Sequence, residues 1–153
     1  MIKRLLAAYR RRKSVPPKKF NDALPDHLKI GILGENIAAE HYIQNGYVII
    51  DRGYTIAKNE IDFIAEDKHC FVFCEVKTRI GTHSEAMYGG RPAAAVDKEK
   101  MRHLIQAASF FVKRHRNAGK RFRFDVVEIY LNTDLTVDYI YIIPNAFSKN
   151  SIR

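Results

Sequence analysis

Hydrophobic and polar positions along the chain follow two different periods, and the change of period separates predicted helices from predicted strands. Apolar residues recur at helical spacing over 28–45 and, most clearly, over 93–118, where they form one continuous face. Short β-rich runs occupy the rest of the apolar sequence, at 47–50, from 56 or 60 to 65, and at 70–77, 121–130 and 137–143. Glycine and proline residues predict a loop at 78–92.

The order of these elements predicts an α/β fold. Helix, three strands, helix and two strands indicate a mixed sheet flanked by helices. We expect the compact domain to cover 28–143, and 1–27 to form a basic arm and linker, because Pro16 and Pro17 end any helix that precedes them. Residues 144–153 are expected to form a polar C-terminal tail.

Positive charge is concentrated at the start of the chain. The formal net charge is +9, and residues 1–20 hold eight Lys or Arg and no acid. Such a balance favours polyanionic partners, through counterion release from phosphates, but composition alone fits equally well a basic protein that merely stays soluble. The apolar runs are shorter than the roughly 20 residues of a membrane span. Cys70 and Cys74, four residues apart on a predicted strand, are too distant for a disulfide. We therefore expect a cytoplasmic protein.

The predicted hairpin around Asp67 and Lys68 brings two acids together. It would pair residue 62 with 73 and residue 60 with 75, and it places Asp62, Glu75 and Lys77 on one face of the sheet. A register slip of one residue would undo this arrangement, whereas a slip of two would keep it. Taken alone, these three residues also fit an ordinary solvated surface with ion pairs.

The chemistry of this residue set suits phosphodiester hydrolysis. Mg²⁺ is commonly held by one or two carboxylates together with water and substrate phosphate. A lysine beside such a pair supplies charge stabilisation and a group that orients water.

Four motifs follow one another between residues 28 and 143: Gly31-x-x-Gly34-Glu35, Glu60-Ile61-Asp62-Phe63-Ile64-Ala65, Phe73-x-Glu75-Val76-Lys77-x-Arg79 and Arg123-Phe124-Asp125-Val126-Val127. In this order they resemble the small bacterial YraN-like proteins, which look like Holliday-junction-resolvase-type members of the PD-(D/E)xK nuclease superfamily. Where the family usually has glycine before its Glu-Ile-Asp, this chain has Asn59.

The resemblance implies a restriction-endonuclease-like core and a Mg²⁺- or Mn²⁺-dependent endonuclease acting on DNA, branched DNA included. It implies that Asp62, Glu75 and the Val76 carbonyl would hold the metal, that Lys77 would serve catalysis, and that Glu35 would be an auxiliary acid. Junction resolvases of this fold work as dimers, so a homodimer is one hypothesis, which the residues themselves leave open.

Basic residues also cluster on the helix predicted at 93–118. A face of this helix is predicted to contact phosphates, through Lys98, Lys100, Arg102, Lys113 and Arg116. The alternative is the solvated side of an amphipathic helix.

Two other functions compete with the nuclease hypothesis. One is a non-catalytic nucleic-acid-binding module that uses the same fold. The other is an RNA-associated or membrane-surface adaptor that acts through residues 1–27.

Overall fold

The computed structural model describes residues 14–88, 96–115 and 120–153, with only the backbone of Tyr88. These parts of the chain contain helices α1 (Asp26–Gln44), α2 (His83–Tyr88) and α3 (Lys98–His115). They also contain five strands and a C-terminal 3₁₀ helix: β1 (Val48–Ile56), β2 (Asn59–Glu66), β3 (Cys70–Ile80), β4 (Arg121–Leu131), β5 (Val137–Phe147) and Lys149–Ile152. The predicted order of helices and strands is confirmed, with α2 as an addition.

The five strands form one mixed sheet in the order β1-β2-β3-β4-β5. Only the pair of β3 and β4 is parallel, from Cys70 opposite Arg121 to Ile80 opposite Leu131. The other neighbours are antiparallel. A parallel pair needs a long crossover, and α3 lies in the connection between β3 and β4. The fold is α/β with a mixed sheet flanked by helices, as predicted, and is consistent with a restriction-endonuclease-like core.

Each face of the sheet carries its own apolar cluster. Helix α1 contributes Ala38 and Tyr42 to a cluster with Val72 and Cys74 of β3. Helix α3 contributes Leu104, Ala108 and Phe111, among others, to the cluster on the opposite face, which includes Phe71 and Phe73. The alternation expected along β3 is therefore present. Among the described residues, no helix is long and apolar enough to cross a membrane.

The prediction of a loop at 78–92 is wrong for its first residues. Strand β3 continues to Ile80, and helix α2 follows at His83. Backbone hydrogen bonding explains the extension, because β4 continues alongside β3 as far as the pair of Ile80 and Leu131. Residues 89–95 and 116–119, which include Gly89, Gly90 and Arg116, lie outside the described residues.

The C-terminal strand is also longer than predicted. Strand β5 runs through Pro144 to Phe147, and Phe147 is 4% exposed in the cluster under α3. Proline is tolerated here because β5 is an edge strand, where one side of the backbone needs no partner.

Residues 14–18, hereafter the docked segment, lie along the edge strand β1. The Val15 N–H donates to the Ile49 carbonyl over 2.9 Å, and the Ile49 N–H donates to Ser14 Oγ over 3.0 Å. Arg52 Nε donates to the Val15 carbonyl over 3.1 Å. This part of the predicted linker is thus hydrogen bonded to the sheet.

Helix α1 approaches β3 closely at Gly34. A Cβ atom at Gly34 would lie 1.8 Å from Thr78 Oγ1, whereas a Cβ at Gly31 would meet no atom within 4 Å. Close packing against β3 is therefore found at Gly34 and not at Gly31.

Gly34→Ala is expected to destabilise the protein by about 1–3 kcal/mol, because Thr78 and the helix must move apart. Gly31→Ala is the matched control and should stabilise the same helix by about 0.5–1 kcal/mol. Urea unfolding of both variants measures the difference. Equal effects of the two substitutions would show that α1 and Thr78 can move apart without a cost in unfolding free energy.

Candidate functional site

The hairpin of β2 and β3 brings the two predicted acids opposite each other. Ile64 pairs with Phe73, and the last aligned pair is Phe63 with Cys74, so Asp62 and Glu75 occupy the next positions. The predicted register was wrong by two residues. The cause is the turn, because Asp67 Oδ1 accepts hydrogen bonds from the N–H groups of His69 and Cys70. A slip of two keeps every side chain on its face.

Asp62 is tied to the backbone of β3. Its Oδ2 accepts a hydrogen bond of 2.7 Å from the Val76 N–H. The N–H and C=O of a strand residue point to the same edge, so the Val76 carbonyl faces the same side as Asp62. The three groups predicted to hold a metal, namely Asp62, Glu75 and this carbonyl, thus belong to neighbouring positions on two adjacent strands.

Glu75 is the acid at the centre of the site. The residue is 5% exposed. Its Oε1 accepts a hydrogen bond of 3.0 Å from Lys77 Nζ, and its Oε2 lies 3.4 Å from Lys100 Nζ. Oε2 accepts no hydrogen bond from the described residues. One carboxylate oxygen therefore keeps a lone pair available beside two ammonium groups.

Burial raises the pKa of Asp62 to about 7, and the negative charges of Glu75 and, more weakly, Glu35 act in the same direction. The hydrogen bond from Val76 and the charge of Lys100 lower the pKa and offset part of this shift. An ionised Asp62 is therefore costly in the folded, metal-free protein, and a bound cation would relieve the cost.

Asp62→Asn is expected to stabilise the metal-free protein at pH 8 by about 1–2 kcal/mol. The folded wild type binds a proton at Asp62 more tightly than the unfolded chain does. Wild-type stability therefore falls as the pH rises from about 4 to about 7. The neutral variant lacks this loss, and the difference should vanish near pH 4.

Thermal unfolding in EDTA between pH 4 and pH 8 measures this effect. If Asp62 is a metal ligand, as the resemblance implies, added Mn²⁺ should stabilise the wild type and leave Asp62→Asn almost unchanged. A variant no more stable than wild type at pH 8 would show that Asp62 ionises without cost.

Glu35 approaches the same region from helix α1. Its Oε2 is 2.5 Å from Lys18 Nζ, and Lys18 Nζ is 4.0 Å from Glu60 Oε1. No group of three or more His, Cys, Asp or Glu side chains among the described residues is placed to hold one metal ion. Glu35 is therefore connected to this region by its ion pair with Lys18 and by its charge, which contributes to the raised pKa of Asp62.

Comparison with known proteins shows to which family the chain belongs. Residues 34–129 match the model described as "Uncharacterised protein family UPF0102". A UPF0102 protein of Caldicellulosiruptor saccharolyticus is 38% identical over 119 residues, which are 78% of this chain and 97% of the relative. One of Clostridium botulinum (strain 657) is 41% identical over 120 residues, 77% of this chain and 93% of the relative. This chain belongs to the UPF0102 family. The YraN-like resemblance is thereby confirmed.

The donor groups of this UPF0102 chain fit a small divalent cation. Two carboxylates and a backbone carbonyl are hard oxygen ligands, and Mg²⁺ typically takes its remaining ligands from water and substrate phosphate. Glu75 Oε2, buried and without a hydrogen bond from the described residues, is the observation that supports this fit.

The basic residues predicted on α3 separate into two groups. Lys98, Arg102 and Lys113 are exposed, whereas Lys100 points to Glu75. Arg116 lies outside the described residues. Of the basic residues that follow, Lys120 pairs with Glu66 and Arg123 with Asp125, so these two already have acidic partners.

Asn59, at the position where the resemblance leads us to expect glycine, has a structural role here. Its side-chain amide donates a hydrogen bond of 3.0 Å to Gln106 Oε1 and joins the start of β2 to α3. The left-handed backbone of this turn belongs to Ala57, with a φ of 54°. The asparagine therefore contributes a side-chain contact.

Sequence reasoning missed Lys18 as a neighbour of the site. It precedes the residues matched by the family model and belongs to a stretch predicted to be a linker. No spacing rule connects it to Glu35, because only the folded position of the docked segment brings the two together.

Proposed function

We propose that this UPF0102 protein is a divalent-metal-dependent nuclease that binds DNA and hydrolyses its phosphodiester bonds. The supporting observation is the convergence of Asp62 and Glu75 at Val76, with Lys77 and Lys100 both contacting Glu75. A pair of acids with two lysines matches the needs of phosphodiester hydrolysis at a cation site. The free thiols of Cys70 and Cys74 agree with action in the reducing cytoplasm.

Each side chain of the site has a role in this proposal. Asp62, Glu75 and the Val76 carbonyl would hold Mg²⁺ or Mn²⁺, which supplies a polarised phosphate and an activated water when bound. Lys77 would donate a hydrogen bond to the scissile phosphate and stabilise its developing charge. Lys100 and the exposed Lys98, Arg102 and Lys113 would bind the neighbouring phosphates.

A cleavage panel tests the proposal. Wild type, Glu75→Ala and the control Glu99→Ala, an exposed acid on α3, are incubated with single-stranded, duplex and four-way-junction DNA in Mg²⁺ or Mn²⁺. Wild type and Glu99→Ala should cleave at least one DNA form, and Glu75→Ala should cleave none. Absence of cleavage by wild type with every DNA form and both metals would refute nuclease activity.

A non-catalytic nucleic-acid-binding module is the second candidate. The observation in its favour is that Lys77 and Lys100 already balance the charge of Glu75, as in a structural ion-pair cluster. It predicts salt-sensitive DNA binding that survives Asp62→Ala, without cleavage by any variant.

A further inference from the structure

Lys18 has a fixed backbone although it precedes the residues matched by the family model. Its N–H donates to Asn36 Oδ1, and Asn36 Nδ2 donates back to the Lys18 carbonyl, both over 3.0 Å. This reciprocal pair attaches the end of the docked segment to helix α1. The backbone of Lys18 is therefore held beside Asn36, the residue that follows Glu35.

The side chain of Lys18 passes over strand β1 at Gly53, where no side chain blocks it. A Cβ atom at Gly53 would lie 3.4 Å from Lys18 Nζ and 3.5 Å from its Cε. Past Gly53, the ammonium reaches Glu35 at 2.5 Å and Glu60 at 4.0 Å. The side chain of Lys18 is 27% exposed and that of Glu35 19%, so water only partly screens this pair.

The charge of Glu35 reaches the candidate metal ligands. Gly34, the residue before Glu35, packs against Thr78 of β3, two residues after Val76. Glu60, which the Lys18 ammonium also approaches, lies two residues before Asp62 on β2. The charge of Glu35 is accordingly one of the causes of the raised pKa of Asp62. Lys18 neutralises Glu35 and so acts, through Glu35, on the potential at Asp62 and Glu75. This ammonium comes from the docked segment, whereas Lys77 and Lys100 belong to β3 and α3.

We propose that Lys18 is a positioning residue that neutralises Glu35. It thereby sets the relative affinities of the site for a divalent cation and for nucleic-acid phosphate. This inference rests on the proposed divalent site at Asp62 and Glu75. Without Lys18, the uncompensated Glu35 would attract the cation more strongly and repel phosphate. The two affinities should therefore change in opposite directions.

The test uses the full chain as wild type, Lys18→Met and Lys19→Met, the last being a control at an exposed neighbour. Calorimetric titration with Mn²⁺ should give a Kd about 3- to 10-fold lower for Lys18→Met, the size expected for one partly exposed charge near a divalent cation. Fluorescence anisotropy in EDTA should give a DNA Kd about 3- to 10-fold higher. Lys19→Met should match wild type in Mn²⁺ binding.

Opposite changes separate this role from a folding defect, which would weaken both kinds of binding. Lys18→Arg should restore both affinities, and it keeps the test decisive if Lys18→Met unfolds. In a Glu35→Gln background, Lys18→Met should no longer tighten Mn²⁺ binding. Parallel weakening, or Lys18→Met indistinguishable from Lys19→Met, would overturn the inference and leave the metal site intact. A wild type that binds no Mn²⁺ would overturn the proposed metal site as well.

Discussion

Lys77→Ala is expected to lower metal-dependent DNA cleavage by about 10³-fold, or roughly 4 kcal/mol of transition-state stabilisation. The Lys77 ammonium lies 3.0 Å from Glu75 Oε1, so it is placed to contact a phosphate that would be bound by a cation at this carboxylate. The charge it would stabilise develops in the transition state. Single-turnover rates at saturating protein should therefore fall, while Mn²⁺ binding stays the same or tightens.

Lys100→Ala is the matched comparison for Lys77. Both ammonium groups contact Glu75, and both side chains are 35% exposed, but Lys100 extends from helix α3. If Lys100 binds phosphate in the ground state, its loss should raise the DNA Kd by about 10-fold and leave the saturated rate within about 10-fold of wild type. A Lys77→Ala protein that cleaves at the wild-type rate would rule out its catalytic role.

The placing of Asp62 and Glu75 on one face of the hairpin could be predicted because it depends on the parity of residues along a strand. Asp62 and Glu75 stay on one face whether the hairpin turns around Asp67 and Lys68 or one step later, since those registers differ by two residues. That the two acids lie directly opposite each other could not be predicted, because it depends on the turn. The turn is shifted by hydrogen bonds from two N–H groups to the Asp67 side chain, which local turn preferences alone do not determine.

The parts of the fold that could not be predicted depend on contacts between distant elements. Strand β5 passes through Pro144 because it is an edge strand, a property of the whole sheet that a local pattern does not carry. The docked segment lies along β1 through hydrogen bonds that join Ser14 and Val15 to Ile49. Two prolines and a run of charge predict a linker by composition, and only tertiary contact overrides that expectation.

The largest expected loss of stability is at Asp125, a residue of the last of the four sequence motifs. Asp125 lies opposite Cys74 on the neighbouring strand and contacts Tyr42 of α1, whereas Glu75 contacts Lys100 of α3. Asp125 is 0% exposed. It accepts hydrogen bonds from Tyr42 Oη at 2.7 Å, from Arg123 at 2.9 and 3.0 Å, and from the Asn145 N–H at 2.9 Å. One carboxylate thus joins α1, β4 and β5. Burial also raises the pKa of Tyr42 above its ordinary value, so its hydroxyl stays protonated and donates.

Asp125→Ala is expected to cost about 3–5 kcal/mol of unfolding free energy, because it leaves the Arg123 guanidinium and the Tyr42 hydroxyl without their acceptor. Asp125→Asn keeps one acceptor oxygen and should cost less. The exposed Asp22 supplies the control, since Asp22→Ala should change stability by less than about 0.5 kcal/mol. Urea unfolding at one pH compares the three variants.

Cleavage measured at low temperature distinguishes a structural Asp125 from a catalytic one. If the carboxylate only joins the three elements, the folded fraction of Asp125→Ala should bind Mn²⁺ and cleave DNA as wild type does, because Asp62 and Glu75 are held by the hairpin of β2 and β3. Loss of cleavage at unchanged stability would assign Asp125 to the reaction. Loss of stability with retained cleavage would show that the role of Asp125 is structural, namely to join α1, β4 and β5.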